Sequence, residues 1–164
     1  MDQPKRLELL TLLQQDARRT PEQLAAMLGE SPEAVAAAMA ELESERVILR
    51  YPALIDWEKA GADRVNAIID VKMTPQRDVG FDRLAARIAR FPEVSSCYLM
   101  SGAYDLSVVV EASSLKEVAR FVAERLSTLE GVASTTTHFV LKVYKHDGVS
   151  YGEGDDDGRL AVTP

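Results

Sequence analysis

An α+β fold of two successive domains is predicted by three observations on this 164-residue chain. Three short segments with helical periodicity come first, and the order strand, helix, strand, strand, helix, strand follows them. A polar stretch with a central glycine separates the two patterns. We therefore predict one domain at 1–57, a linker at 58–63, a second domain at 64–145 and an acidic tail at 146–164.

The composition is that of an ordinary globular protein. No apolar run of 18 residues is present, and the N-terminal MDQPKRLELL has no secretory apolar region, so we expect no membrane partner. The single cysteine, Cys97, cannot form an intramolecular disulfide, which fits a reducing, cytoplasmic location. The net charge of −7 argues against a general electrostatic attraction to nucleic acid.

Capping patterns divide the first 45 residues into three helices. Residues 4–15 carry a wide leucine stripe, which is typical of an amphipathic helix. Thr20-Pro21-Glu22-Gln23 has the capping-box layout, and Gly29 ends the second helix. Ser31-Pro32 repeats the cap-and-proline pattern and starts a third helix, which runs to about Glu45. The tight turn between the second and third helices predicts a helix-turn-helix.

Two short runs of β-forming residues follow the third helix. They are Arg46–Arg50 and Tyr51–Trp57, and a Tyr-Pro break lies between them. These runs predict a wing or a linking hairpin. Three helices with a wing make a winged helix-turn-helix, which is the predicted fold of the first domain.

The second domain is predicted from five segments. Arg64–Met73 alternates between apolar and polar residues as a strand does, and a helix runs from about Val79 to Phe91. Two strands in 94–111 flank a turn with Gly and Asp, Ser114 caps a second helix that Gly131 ends, and Val132–Tyr144 is the last strand. This βαββαβ order predicts a ferredoxin-like antiparallel sheet with both helices on one face.

The alternation of the last strand predicts which side chains face the helices: Thr135, Thr137, Phe139, Leu141 and Val143. The opposite, uncovered face would carry Thr136, His138, Val140, Lys142 and Tyr144, with apolar area from Ile68 and Val109. Exposed apolar area of this kind usually finds a partner, so we expect a homodimer that packs sheet to sheet.

The tail after His146 is acidic and glycine-rich through Asp155–Gly158. Two interpretations stay open: a disordered tail, or docking of Arg159–Thr163 as an edge strand, including on a partner subunit.

Two motifs in the second domain resemble those of the Lrp/AsnC, or feast/famine, transcriptional regulators. Gly102-Ala103-Tyr104-Asp105-Leu106 resembles the family's G-x-Y-D segment. Gly131-Val132-x-x-Thr135-x-Thr137-x-x-Val140-Leu141 matches its last strand position by position. The resemblance covers roughly residues 4–145 and implies a domain that senses amino acids or similar small effectors and forms dimers. In the family such dimers often assemble into octamers, and the effector usually lies between subunits.

An amino-acid effector presents an amine and a carboxylate, and the resemblance gives roles to the residues that match them. Asp105 suits the amine, and the backbone N–H groups at Gly102–Tyr104 suit the carboxylate. The hydroxyls of Thr135 and Thr137 can donate and accept, and Met100 and Tyr104 can contact the effector's side chain. The predicted effector site is therefore Met100, Gly102, Ala103, Tyr104, Asp105, Thr135 and Thr137.

The first domain departs from the family pattern where DNA recognition requires base-reading side chains. The third helix contains no Lys, Arg, Asn or Gln, and residues 1–50 hold six basic against nine acidic residues, a net charge of −3. DNA contact is still implied by the family resemblance, with arginines touching the backbone from the edges. The predicted DNA-binding residues are Arg18, Arg19, Ser31, Ala36, Ala37, Ala40, Arg46 and Arg50.

Two alternatives stay open beside an effector-responsive regulator. The acidic third helix favours a sensor that does not bind DNA and uses its helical domain for protein interaction. More distantly, siroheme decarboxylases share the two-domain layout, but the chain has only His138 and His146, and no catalytic set, metal motif or phosphate-binding loop. We expect no enzyme activity, no cofactor and no metal.

Overall fold

The computed structural model describes residues 1–74 and 81–151 of the chain, which forms two compact units, Met1–Leu54 and Ile55–Pro164. Within the described ranges, no helix combines the length and the apolar character that crossing a bilayer requires.

The three predicted N-terminal helices are confirmed as α1 (Gln3–Gln15), α2 (Pro21–Leu28) and α3 (Pro32–Ser44). At the start of α2 the Thr20 hydroxyl accepts from the Gln23 N–H, and the Gln23 side chain accepts from the Thr20 N–H at 2.9 Å. Ser31 caps α3 by accepting from the Ala34 N–H at 3.2 Å. These bonds satisfy donors that each helix start leaves open, so the helix starts are fixed by local sequence.

Gly29 ends α2 in the left-handed region, with a φ of 64°, and makes the tight turn into α3. The three helices enclose a small apolar core whose members come from all of them: Leu9, Leu13, Leu24, Ala25, Leu28, Val35, Ala38 and Leu42.

The predicted wing is wrong: residues 45–64, all of which the structure describes, contain no strand. Arg46 ends α3 with a positive φ of 57°, and the Val47 N–H returns to the Leu42 carbonyl. Leu49 and Tyr51 are exposed. Side chains with β propensity form a strand only where a neighbouring strand pairs with them, and this segment has no such neighbour among the described residues.

The C-terminal unit has the predicted βαββαβ order. Its elements are β1 (Val65–Met73), α4 (Phe81–Ile88), β2 (Val94–Leu99), β3 (Leu106–Ala112), α5 (Leu115–Phe121), a π-helical turn (Val122–Leu126) and β4 (Val132–Phe139). The four strands form an antiparallel sheet in the order β2-β3-β1-β4, which confirms the ferredoxin-like prediction. The predicted helix start at Val79 lies outside the described residues.

The strand register separates the two faces of this sheet. Ile69 in β1 is opposite Val108 in β3 and Thr137 in β4, so these three residues share the face covered by the helices. That face holds the core: Ala67, Ile69, Val71, Met73, Ile88, Leu106, Val108, Val110, Val118, Phe121, Leu126 and Leu129. The outer face, as predicted, carries Ile68, Val109, Thr136 and His138.

The last strand is shorter than predicted. The pairing of β1 with β4 ends at Ala67 and Phe139, and the Val140 N–H still donates to the Asn66 carbonyl. β1 itself begins one residue before Asn66, at Val65, so the pairing cannot continue far beyond Val140. Leu141 was predicted to face the helices and is instead 96% exposed. The chain then forms a small hairpin of β5 (Lys145–His146) and β6 (Val149–Ser150). The segment Arg159–Thr163 lies outside the described residues.

Candidate functional site

The turn between β2 and β3 leaves several backbone donors open. Gly102 has a φ of 155°, and a Cβ built at this position would meet no atom within 4 Å. The backbone conformation therefore favours glycine here, and the space beside the turn is open. Within the described residues, the N–H groups of Gly102, Ala103 and Tyr104 donate to no protein acceptor. Consecutive free N–H groups of this kind are suited to an anion.

Asp105, at the end of the turn, is held by the neighbouring strand. One carboxylate oxygen accepts from the Met73 N–H at 2.7 Å, and the other lies 3.4 Å from Nζ of Lys72. The bond from Met73, and after it the Lys72 ammonium, lowers the pKa of the Asp105 carboxyl. The carboxylate is therefore ionised at neutral pH, and one of its oxygens faces a half-exposed cation.

Tyr104 connects the turn to the outer face of the sheet. Its hydroxyl lies 2.9 Å from the hydroxyl of Thr136. Thr135 and Thr137, which were predicted for the same site, lie on the face covered by the helices, where the Thr135 hydroxyl is 3.5 Å from that of Ser127. Met100 is half exposed beside the turn, and its N–H donates to the Asp105 carbonyl. The structure thus brings Met100 and Gly102–Asp105 together and places the two threonines across the sheet.

Lys72 and Thr136 adjoin the turn, although the sequence reasoning assigned neither of them to the site. The alternation of apolar and polar residues in β1 indicates the position of Lys72, because Lys72 is the last polar residue on the outer face before the strand ends. Thr136 follows from the same rule in β4, since it shares a face with Asp70.

The outer face also combines a polar pair with exposed apolar area. His138 Nε2 lies 3.1 Å from a carboxylate oxygen of Asp70, and Ile68 next to them is 39% exposed. The side-chain oxygen of Asn66 is buried and accepts from no donor in the described residues. The exposed apolar area at Ile68, beside the polar pair, is suited to covering by a second molecule.

The solvent face of α3 is formed by short side chains. Exposed residues recur along it at helical spacing: Glu33, Ala36, Ala37, Ala40 and Ser44. Val35, Ala38 and Leu42 are buried on the opposite side. The predicted contact positions Ala36, Ala37 and Ala40 are therefore accessible, while the Ser31 hydroxyl is engaged as the helix cap.

The acidic side chains near the end of α3 are held by partners within the unit. Arg6 of α1 lies 3.3 Å from Glu41 and 2.9 Å from Glu45. The Tyr51 hydroxyl donates to Glu43 at 2.7 Å. Burial, and after it the bond to Glu43, raises the pKa of Tyr51 to about 12, so the hydroxyl remains a donor throughout the physiological range.

The four arginines predicted to reach DNA backbone differ in their freedom. The Arg18 side chain is 93% exposed despite an ion pair with Asp16 at 3.4 Å. Arg19 donates to the Leu12 carbonyl at 3.1 Å. Arg46 and Arg50 are exposed, and neither forms an ion pair with a described residue.

Metal and thiol chemistry have no evident place in the described part of the chain. Among residues 1–74 and 81–151, no three His, Cys, Asp or Glu side chains lie close enough to hold a metal ion. Cys97 is partly buried, and burial raises the pKa of its thiol.

Both units match known domain families. The AsnC-type helix-turn-helix domain matches residues 7–43, and the Lrp/AsnC ligand binding domain matches residues 66–150. The second match includes the turn at Gly102–Asp105 and the whole outer face of the sheet.

Relatives match over nearly the whole chain. The HTH-type transcriptional regulator YugG of Bacillus subtilis is 53% identical over 98% of this chain and 97% of its own length. The proline dehydrogenase transcriptional activator of Rhizobium radiobacter is 27% identical over 87% of this chain and 91% of its own. A transcriptional regulator of Neisseria meningitidis, solved in complex with L-Met, is 27% identical with a TM-score of 0.70, covering 89% of this chain and 93% of that one.

Proposed function

The chain belongs to the Lrp/AsnC family of transcriptional regulators, and from this premise we propose that it binds DNA through α2 and α3 and an amino acid or similar small effector through its C-terminal unit. The observation that supports this most strongly is the family match on both units, joined to an intact helix-turn-helix with capped helices. Such a regulator acts in the cytoplasm, where the chromosome is. The relatives are named as regulators, so we propose no enzymatic activity.

The experiment that tests DNA binding is fluorescence anisotropy with DNA from upstream of the chain's own gene, titrated over a salt series. Affinity of a phosphate-contacting protein falls linearly on a log–log plot against salt, and the slope counts the phosphates touched. Arg50→Ala is expected to weaken binding to all sequences and to reduce that slope by about one. An identical titration curve for Arg50→Ala removes this residue from the interface.

The proposed effector site is the β2–β3 turn. The open N–H groups at Gly102–Tyr104 suit the carboxylate of an amino acid. The Asp105 carboxylate suits its amine, which replaces the Lys72 ammonium that lies 3.4 Å from Asp105 in the structure. Met100 and Tyr104 border the space left beside Gly102. Thr135 and Thr137 remain part of the proposal, with contact requiring a second subunit or a rearrangement, because they lie on the opposite face.

Isothermal titration with the twenty L-amino acids tests the effector site. The Neisseria meningitidis relative was solved with L-Met, so methionine is the first probe. Asp105→Asn is expected to abolish binding of any amino acid that the wild type binds. Retained affinity in Asp105→Asn would place the amine elsewhere.

We also propose a homodimer formed by the outer face of the sheet, with higher assembly to octamers. Ile68 is 39% exposed there, which leaves apolar area open to a second subunit. Ile68→Asp is expected to convert dimers to monomers in sedimentation velocity. Unchanged sedimentation would move the interface to another surface.

A sensor that does not bind DNA is a second candidate function, favoured by the absence of any Lys, Arg, Asn or Gln in α3. The anisotropy titration separates the two. No binding to specific or random DNA at low salt, with and without amino acids, selects the sensor.

A further inference from the structure

Asp105 is fixed to β1 at two points, one on either side of Lys72. Its backbone N–H donates to the Val71 carbonyl at 3.0 Å, and one carboxylate oxygen accepts from the Met73 N–H at 2.7 Å. The second carboxylate oxygen lies 3.4 Å from Nζ of Lys72. The carboxylate is therefore held in place by the backbone of the neighbouring strand, and its second oxygen is left for a cation.

The contact between Lys72 and Asp105 is a loose one. Bonds between an ammonium and a carboxylate usually measure about 2.7–2.9 Å, so the separation of 3.4 Å is long. The Lys72 side chain is 44% exposed and its ammonium ends a flexible stem, so it can leave Asp105 without movement of the strand. The site thus combines a fixed carboxylate with an exchangeable cation.

In residues 1–74 and 81–151, Lys72 pairs with no carboxylate other than that of Asp105. Its neighbour in β4 is the uncharged Ser134. The preceding residue of β1 on the same face, Asp70, lies 3.1 Å from Nε2 of His138. An ammonium displaced from Asp105 therefore has no described partner waiting for it, unless the ligand supplies one.

Ligands of three charge types differ in the number of ion pairs that they leave at this site. The empty site has one pair, between Lys72 and Asp105. A simple amine takes Asp105 and releases Lys72, whereas a simple carboxylate takes Lys72 and releases Asp105, so one pair remains in either case. A zwitterion pairs with both side chains and leaves two. An ion pair is gained only from a ligand that carries both charges close together.

We infer that Lys72 makes the site selective for zwitterions. Its ammonium occupies the amine position in the empty site, and in the occupied site it pairs with the ligand's carboxylate, together with the open N–H groups at Gly102–Tyr104. The inference rests on the proposed effector site and adds to it a residue and a rule of selection. Free α-amino acids satisfy the rule, whereas the corresponding amines and carboxylic acids do not.

Matched ligands test the inference by isothermal titration of the full-length protein. L-methionine is compared with 3-(methylthio)propylamine, which lacks its carboxylate, and with 4-(methylthio)butanoate, which lacks its amine. The wild type is expected to bind methionine more tightly than either analogue. If titration with the twenty L-amino acids identifies a different effector, its own amine and carboxylic acid analogues take the same places.

Variants of Lys72 assign the preference to this side chain. In Lys72→Met the amine no longer competes with an ammonium and methionine loses a partner, so the ratio of their affinities is expected to fall about fivefold, the contribution of a half-exposed ion pair. Lys72→Arg keeps the charge and is expected to preserve most of the preference. Lys116→Met, on the exposed side of α5, is the control and is expected to match the wild type. Circular dichroism confirms folding, and Lys72→Gln replaces Lys72→Met if that variant does not fold.

The outcomes distinguish failure of the inference from failure of the effector site. A preference for methionine over the amine that is the same in the wild type and Lys72→Met overturns the role of Lys72 and leaves the effector site intact. Equal weakening of all three ligands in Lys72→Met indicates a purely structural role and also overturns it. Absence of binding to the wild type by any of the twenty amino acids overturns the proposed effector site itself.

Discussion

The exposed surfaces of the two units differ in the side chains at their centres. In the helix-turn-helix unit, arginine and tyrosine side chains hold the carboxylates of Glu41, Glu43 and Glu45, and the exposed centre of α3 is left with methyl groups. In the sheet unit, the outer face carries polar side chains, among them the Asp70–His138 pair. The first surface is suited to a partner recognised by shape and apolar contact, and the second to a charged ligand or a second subunit.

The units also differ in what determines their folds. The helical unit is assembled from caps and turns, each fixed by residues a few positions apart, whereas the sheet unit depends on pairing between strands far apart in sequence. The four changes below test that contrast, beginning with the largest expected effect. The single tryptophan, Trp57, lies under Arg64 at 3.7 Å, so its fluorescence reports on the sheet unit, and helical circular dichroism reports on both.

Ile69→Ala is expected to lower the free energy of unfolding of the sheet unit by about 2–5 kcal/mol, because Ile69 is fully buried at the centre of the sheet. Urea denaturation followed by Trp57 fluorescence measures it. Ile68→Ala is the matched control on the outer face, and its effect on a monomer is expected to stay below about 1 kcal/mol. Equal losses for the two variants would contradict the assignment of faces.

Thr20→Ala removes the capping box at the start of α2 and is expected to destabilise the helical unit by about 1 kcal/mol. Thermal denaturation followed by circular dichroism at 222 nm measures the change. Thr11→Ala is the control, since the Thr11 hydroxyl bonds within its own helix, to the Leu7 carbonyl. If the control variant loses as much stability, the cap has no special role.

Arg46→Gly is expected to raise the stability of the helical unit by about 0.5–1 kcal/mol and to weaken DNA binding. Arg46 ends α3 with a φ of 57°, a conformation that glycine adopts without strain. Arg46→Ala separates the two effects, because it removes the charge and keeps the strain. An equal rise in the free energy of unfolding of Arg46→Gly and Arg46→Ala would show that the gain does not come from the backbone conformation. Unchanged DNA affinity in both variants would exclude Arg46 from the interface.

Asp105→Asn is expected to reduce the loss of stability that the sheet unit undergoes at acidic pH. The pKa of Asp105 is lowered in the folded chain, so its contribution to stability is present above the unfolded value of about 4 and is lost as the pH falls through the folded value. Stability measured by urea denaturation should therefore fall less between pH 5 and pH 3, as an approximate window, in the variant than in the wild type. Asp63→Asn, at an exposed carboxyl, should follow the wild-type curve.

Much of the fold follows from local sequence. Thr20 and Ser31 predict helix starts because their hydroxyls bond to N–H groups three residues on. Gly29 predicts a helix end because it adopts the left-handed conformation at the cap. The alternation of β1 identifies the buried face for the same reason: Ile68 and Ile69 differ in burial only because successive side chains point to opposite sides.

The errors arose where the outcome depended on a distant partner. Leu49 and Tyr51 have strand propensity but no strand beside them in the described part of the chain, and no wing forms. Leu141 was predicted to continue the last strand, but the pairing with β1 ends at Ala67 and Phe139, and Leu141 is 96% exposed. For the candidate site, the sequence predicted the turn. The alternation of β1 and β4 gives the face of Lys72 and Thr136, but their distances to Asp105 and Tyr104 depend on how β1 pairs with its neighbours.

The exposed middle of α3 has an evolutionary consequence. Ala36, Ala37 and Ala40 are all exposed, while the residues that hold α3 in its unit, Val35, Ala38 and Leu42, lie on its other side. Under the proposed function, substitutions at the three alanines alter what the helix recognises while the fold stays unchanged. After gene duplication, two copies of such a chain can thus diverge in their targets by single changes, each of which leaves a stable protein.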